Sequence, residues 1–239
     1  GELTVAAAYL GVPHPSGYPF YLLLAHLFTY LPFGDLAFRT NLLSVVAGAS
    51  VAAASVWIMR LLDRRLRLAL SPWSIFAAGC AIPLGKTLWG QSLITEVYSL
   101  HVALCVWTAA FFLAWHVAER EGRPSSRNLF AGILCGAFSL GVHLTAAFFL
   151  PGLLLVLFFT KTGLFREARF RLFLLAGIAV VIGLYGFLAW RASLNPPINW
   201  GFIRSAHDLF DHVTGKQYQY KMFSFSLEAL KEHVTGRIL

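Results

Sequence analysis

The sequence predicts an all-α fold, a polytopic membrane helix bundle of about six spans with a re-entrant or interfacial helix in its first outer loop. Three observations carry that reading. Hydrophobic residues fill 58% of the 239 positions and charged residues only 13%, about half the share usual in soluble domains. The apolar residues gather in runs long enough to cross a bilayer, which takes about 20 residues each. Lys and Arg fall mostly in the short connectors between those runs, the pattern that membrane topology produces. The net charge of +8 therefore reads as topology, and nucleic acid is not an expected partner.

The first 41 residues hold no span. "VPHPSGYP" (12–19) packs three prolines, a glycine and a histidine into a stiff turn. "YPFYLLLAHLFTYLP" (18–32), bounded by Pro19 and Pro32, is too short to cross and reads as an interfacial or re-entrant helix. Residues 42–60 make a span rich in small residues that permit close helix packing. Residues 72–90 start with Pro72 at a helix N-terminus and are broken near Pro83, Gly85 and Lys86. Residues 97–118 form the next span. The run 129–160 is too long for one crossing and carries the polar tip "GVHLT" (141–145) near its middle, so it reads as two short crossings. The last span is 172–190. In the tail, Ser205 with Asp208 resembles a capping box, and Gly215 marks a helix stop. The "HVTG" of 212–215 recurs at 233–236.

Arginine and lysine bias sets the orientation. The connectors 60–71, 119–128 and 161–171 are basic and belong inside. The segments 1–41, 86–96, 141–145 and everything after 191 then lie outside. The alternation closes only if 129–160 crosses twice, which supports its division independently of length. The chain divides into an outer loop with interfacial helix (1–41), a transmembrane bundle (42–190) and an extracytoplasmic loop with short helices (191–239). It reads as a fragment of a longer chain, with at least one span upstream.

The outer segments collect the residues that could carry chemistry. Glu2 is an ionisable group at the membrane face, functional if buried and trivial if solvated. "TEVYSLH" offers Glu96, Tyr98 and His101, with Tyr98 and His101 on one helix face. Glu96 is equally a helix N-terminal carboxylate favoured by the dipole. Lys86 either meets an anionic phosphate or snorkels to the interface. His143 with Thr145 sits at the tip of the divided run, as a ligand contact or a hydrogen-bonded structural residue. "NPPINWG" (195–201) is a rigid turn that could present Asn199 and Trp200 to a polar substrate such as a sugar. No HExxH-type spacing marks a metal site among the histidines. Cys80, Cys105 and Cys135 lie inside apolar runs and read as small hydrophobes.

Several of these stretches together resemble a known family. The N-terminal "GELTVAAAYLGVPHPSGYPFYLLLAHLFTYLPFGDLAFRTNLLS", "TEVYSLH", "GVHLT" with "FLPG", and "NPPINWG" followed by "HVTGKQY" are similar to the multispanning protein O-mannosyltransferase-like family. Its eukaryotic member modifies extracellular domains of plexins and the Met receptor, and the family looks like a branch of the GT-C glycosyltransferases. The resemblance implies a GT-C-like bundle with a polyprenyl- or dolichyl-phosphate sugar as donor, used on the extracytoplasmic face. That lipid-phosphate sugar is a co-substrate; no cofactor is implied, and metal dependence is left open. Membrane lipid and a protein acceptor are the implied partners. The family's acidic motif reads roughly Asp-x-Gly-Glu, of which Gly1 and Glu2 stand here, so its aspartate is expected upstream of Gly1. The resemblance makes Glu2 the candidate catalytic acid/base or acceptor-orienting residue. His14, Lys86 and His143 become candidates for the donor phosphate. Tyr18, Glu96, Tyr98, His101, Asn199 and Trp200 become candidates for sugar or acceptor recognition. The expected membrane is a bacterial inner membrane with a periplasmic active face, or the ER with a lumenal one. A flippase for a lipid-linked intermediate and a membrane scaffold are the alternative classes; the shortage of unusual polar residues in the basic connectors speaks against the flippase.

Overall fold

The structure is a computed structural model that describes residues 1–222. The second "HVTG", at 233–236, lies outside the described residues. Among the described residues the regular structure is helical, and the only extended pairing is an isolated parallel bridge between Val12 and Asn199.

Two short helices come first, α1 (Glu2–Tyr9) and α2 (Pro19–Thr29). The "VPHPSGYP" turn joins them. Pro19 begins α2, where its missing N–H costs nothing. The next donor, the Phe20 amide, reaches out of the helix to the Gly141 carbonyl at 2.9 Å. Helix α3 (Leu36–Leu66) is capped by Asp35, whose carboxylate accepts from the Phe38 amide. Its 31 residues are about 46 Å long at 1.5 Å per residue, more than a bilayer core requires.

Serine 71 caps α4 (Pro72–Ala81), which stops before Pro83; the chain restarts as α5 (Lys86–Ser92). The expected break thus falls where proline and glycine place it. A Cβ on Gly79 would come within 2.7 Å of the Val56 amide nitrogen, so α4 crosses α3 at a distance that glycine permits. Helix α6 (Tyr98–Arg120) follows. The long apolar run then divides at Gly141–His143, between α7 (Ser126–Leu140) and a 3₁₀ segment (Leu144–Phe149) that leads into α8 (Leu150–Thr160). Helix α9 (Ala168–Ser193) precedes α10 (Ala206–Val213) and α11 (Lys216–Met222). Ser205 caps α10 by accepting from the Asp208 amide, and Gly215 adopts φ 63° just past its end.

Among the described residues, three helices, α3, α6 and α9, are long and apolar enough to cross a membrane. The remaining apolar runs fold as shorter helices, among them Pro19–Thr29 and Leu144–Thr160.

The turns sort by end. Arg64 pairs with Glu121 at 3.1 Å, and Arg123 pairs with the same carboxylate. Arg120 donates to the Phe159 carbonyl at 2.7 Å, and His116 bonds the Thr160 hydroxyl. These bonds gather all three basic connectors at one end of the bundle. At the other end, Thr40 links Thr4 to Thr95, and Ser44 donates to the Glu96 carbonyl. There the apolar core runs through Leu3, Tyr21, Leu43 and Leu100, with a second cluster around Leu22, Leu188 and Ile203. The polar turns sit on this core, opposite the basic ones.

Candidate functional site

The site begins with a hydrogen-bonded carboxylate–imidazole pair between two residues of the first loop. Glu2 stands in the first turn of α1, and its Oε1 accepts the His14 backbone N–H at 2.8 Å. Its Oε2 lies 3.0 Å from His14 Nδ1, both side chains being about one third exposed. A carboxylate can only accept, so Nδ1 carries the proton. The other ring nitrogen, Nε2, is 2.8 Å from the Tyr18 hydroxyl, which also lies 3.0 Å from the Pro15 carbonyl. Tyr18 has one proton and two acceptors. With His14 neutral, the phenol can donate to Nε2. With His14 protonated, Nε2–H donates to the phenol, which then gives its own proton to Pro15. The ring can therefore take up a proton without orphaning a hydrogen bond.

The proline-rich turn makes this possible by its backbone. Tyr18 sits at φ 48°, the left-handed region that non-glycine residues rarely enter. Such strain persists where surrounding structure over-determines it. Here the surroundings are specific. Tyr18 is buried, and burial first, then the phenol of Tyr98 and the carboxylate of Glu96, raise its pKa. The phenol is held as a donor.

Ring contacts carry the cluster across to the turn between α7 and α8. Tyr18 stacks on His143 at 6.2 Å between centroids, 14° from parallel, and Tyr98 and His101 approach the same imidazole at 5.9 and 5.3 Å. The Thr145 amide donates to His143 Nδ1 at 3.3 Å, so that nitrogen is unprotonated. The Thr145 hydroxyl donates to it at 2.8 Å and can accept from His101 Nε2 at 3.1 Å. Ser139 lies 3.4 Å from His101 Nδ1 and 3.3 Å from Cys105 Sγ. With these directions fixed, His143 Nε2 is left as a proton-bearing donor with no partner among the described residues. Burial lowers the His143 pKa, so it donates as a neutral imidazole.

Beyond Ser139 and Cys105 the polar chain meets a cavity of about 370 Å³ between α6, α7, α8 and α9. Phe112, Leu140, Leu153, Leu157 and Ile178 are among its walls. It is apolar and runs along the bundle from the His101 end.

The first loop is anchored from behind. Val12 donates to the Ile198 carbonyl at 2.8 Å, and Trp200 donates to the Val12 carbonyl at 2.9 Å. This docks the "NPPINWG" turn beside "VPHPSGYP". Trp200 then meets His14 edge-on at 6.5 Å, with half its surface exposed. Asn199 points the other way, its side-chain amide donating to the Ala192 carbonyl. It braces the turn.

The structure thus brings Glu2, His14, Tyr18, Tyr98, His101, His143 and Trp200 into one cluster. Glu96 contributes through its charge, which reaches Tyr18 and Tyr21. Lys86 does not join: it is exposed on the first turn of α5 and has no hydrogen bond or ion pair among the described residues.

Two supports were not legible as site residues. Arg191 donates to the Tyr9 and Leu10 carbonyls, 2.7 Å each, and so caps the C-terminus of α1. A lone arginine at a span end carries no sequence signal for that contact. His212, buried at 6% exposure, packs behind the first loop between Gly17 and Gly201. Its signal was the first "HVTG", read as a helix ending, which it also is.

Comparison with known proteins finds a relative that shares part of this sequence. The protein O-mannosyl-transferase TMEM260 of Mus musculus is 36% identical over 146 residues, 60% of this chain and 19% of the mouse protein. The chain therefore spans about a fifth of that relative's length. No solved structure matches it. A family model described as the protein O-mannosyl-transferase TMEM260 N-terminal domain matches residues 1–165, which include Glu2, His14, Tyr18, Tyr98, His101 and His143. With that match over most of its length and three membrane-length apolar helices, the chain is an integral membrane protein and belongs to the TMEM260 N-terminal domain family.

Proposed function

We propose that this chain forms the sugar-transfer face of an integral-membrane glycosyltransferase. The donor is a polyprenyl- or dolichyl-phosphate sugar, mannose by likeness to the mouse relative. The acceptor is a hydroxyl, on a protein by the same likeness, and transfer takes place on the extracytoplasmic side. One observation carries the reading. Residues from separate turns, Glu2 and His14 on one side and His143 and His101 on the other, meet at a polar cluster that opens onto an apolar cavity.

The chemistry follows from that juxtaposition. The acceptor oxygen attacks the anomeric carbon; the new carbon–oxygen bond forms as the bond to the phosphate oxygen breaks. The acceptor proton passes to His14 Nε2, the ring nitrogen that carries none, while Glu2 holds Nδ1–H; the Tyr18 proton turns from Nε2 to the Pro15 carbonyl as His14 becomes charged. Negative charge grows on the departing phosphate. The His143 Nε2–H and the Tyr98 phenol are the donors placed to meet it. The lipid tail occupies the apolar cavity behind Ser139.

The test uses the full-length protein in vesicles with labelled polyprenyl-phosphate sugars and candidate acceptors. Glu2→Gln keeps the shape of the side chain but removes its charge, and transfer is expected to fall by about 10²- to 10⁴-fold at unchanged protein level. Transfer at the wild-type rate in that variant would remove Glu2 from the mechanism. Movement of lipid-linked sugar between leaflets without transfer would replace the enzyme reading with a flippase.

A further inference from the structure

A second cavity lies on the far side of the Glu2–His14 pair from the apolar one. It measures about 330 Å³; Pro15, Trp200, Gly201 and His212 line it together with the charged or polar Asp208, Asp211, Lys216 and Gln217. Its size is at the low end of what small-molecule sites occupy. Its walls combine one exposed indole with several planar or charged hydrogen-bonding groups.

We infer that this cavity is a pyranose subsite, in which the apolar C–H face of a hexose lies against Trp200 and its hydroxyls bond Asp211, Gln217 and His212. The inference rests on the sugar-transfer reading above and adds to it a place for the sugar ring.

Four observations lead there. First, Trp200 is 54% exposed, although its backbone is fixed by the bond to Val12. A large aromatic surface held rigid and half bare beside a polar cavity is what a ligand with one apolar face requires. Second, Asp211 accepts from Lys216 at 2.6 Å and faces His207 at 3.6 Å, so its carboxylate is oriented while the pair is neutral overall. Asp208 adds a second carboxylate to the lining, so a ligand whose hydroxyls donate to carboxylates matches it better than an anion does. Third, His212 is buried, and its Nδ1 is the ring atom that lies beside Gly201 on the cavity wall. Burial and the Pro13 carbonyl act on the ring in opposite senses, and burial wins, bringing its pKa to about 4 and keeping it neutral. Fourth, the cavity adjoins the proton-accepting pair: Pro15 and Trp200 line it, and both touch the His14–Tyr18 unit.

A glycine supports the geometry. A Cβ on Gly201 would fall 2.9 Å from His212 Nδ1, so the absence of a side chain there keeps the His212 ring open to the cavity.

Saturation-transfer NMR on the full-length protein in detergent tests the inference with methyl α-mannopyranoside, a sugar that lacks lipid and phosphate. Saturation is expected on the pyranose ring protons of the wild type. Trp200→Ala and Asp211→Asn, both changes at solvent-accessible side chains, are each expected to weaken it by about tenfold or more, the effect of one lost charged or stacking contact, with melting unchanged. No transfer to the glycoside in the wild type, or equal transfer in both variants, overturns the subsite. Addition of polyprenyl-phosphate mannose separates the sources. Displacement of the glycoside assigns the subsite to the donor's sugar, and simultaneous binding assigns it to a sugar on the acceptor. Donor turnover is read in parallel, so glycoside binding can fail while turnover persists, which sinks the subsite and spares the enzyme.

Discussion

Tyr18 concentrates the residue-scale argument because its single proton can serve either His14 or the Pro15 carbonyl. If that choice matters to proton transfer, Tyr18→Phe should slow turnover by about tenfold to a hundredfold, through loss of one donor to the reacting pair. KM for the donor should stay near the wild-type value, because a group that acts only as the proton moves affects kcat and kcat/KM together. The fold should hold, since one hydrogen bond contributes about 1 kcal/mol. A Tyr18→Phe enzyme with wild-type kcat would show that the phenol only packs against His143. At this scale the sequence exposed residue types and sidedness but not pairing. Glu2 and His14 are twelve positions apart on either side of a turn, and nothing in their spacing says that one carboxylate holds both the backbone and the ring. Lys86 shows the converse. A cation beside a helix break looked suited to phosphate, yet the break leaves it on an exposed first turn away from the cluster's bonds.

At the element scale, the first loop works because it is clamped between two partners. Its helix α2 docks on the Gly141 carbonyl, and its preceding strand-like residue Val12 is hydrogen-bonded on both sides to the "NPPINWG" turn. The proline-rich stretch could be read as a hinge from composition, since proline fixes φ and glycine admits a tight turn. What it hinges against could not. That depends on Ile198 and Gly11, nearly the whole chain apart. A Cβ on Gly11 would lie 2.7 Å from the Ile198 carbonyl oxygen, a backbone atom that cannot swing away. Gly11→Ala should therefore separate the two turns at a cost of about 1–3 kcal/mol. Protease cleavage in 195–205 should accelerate, and Trp200 fluorescence should shift as its indole leaves His14. Equal cleavage rates in Gly11→Ala and wild type would mean that the clamp tolerates the extra methyl and that the turn is held elsewhere.

At the scale of the whole molecule, the basic connectors and the polar cluster occupy opposite ends, and the helices between them differ in length. Helix α7 has 15 residues, about 22 Å, which falls short of a 30 Å hydrocarbon core. This is why a count of runs and a count of bilayer-length helices diverge: hydropathy marks apolar segments, while breaks at Pro83 and Gly141 decide how much of each is one straight helix. A short helix can still cross where the bilayer thins or flanking residues snorkel. The six-crossing topology then makes a sharp prediction about sidedness. In a chain whose Cys80, Cys105 and Cys135 are replaced by alanine, single cysteines at exposed Leu68, Arg127 and Thr162 probe the three basic connectors. Phe33 and Leu194, likewise exposed, probe the polar end outside the cluster itself. An impermeant maleimide applied to intact cells should label Phe33→Cys and Leu194→Cys, and the other three only after permeabilisation, as the positive-inside rule requires. Inverted labelling of all five would keep the bundle and move the cluster to the cytoplasmic side, removing the extracytoplasmic donor from the proposal. Labelling of Arg127→Cys and Thr162→Cys from different sides would mean that 129–160 crosses once. The turn at Gly141–His143 would then lie within the membrane, and the path from His143 to a water-borne acceptor would be lost.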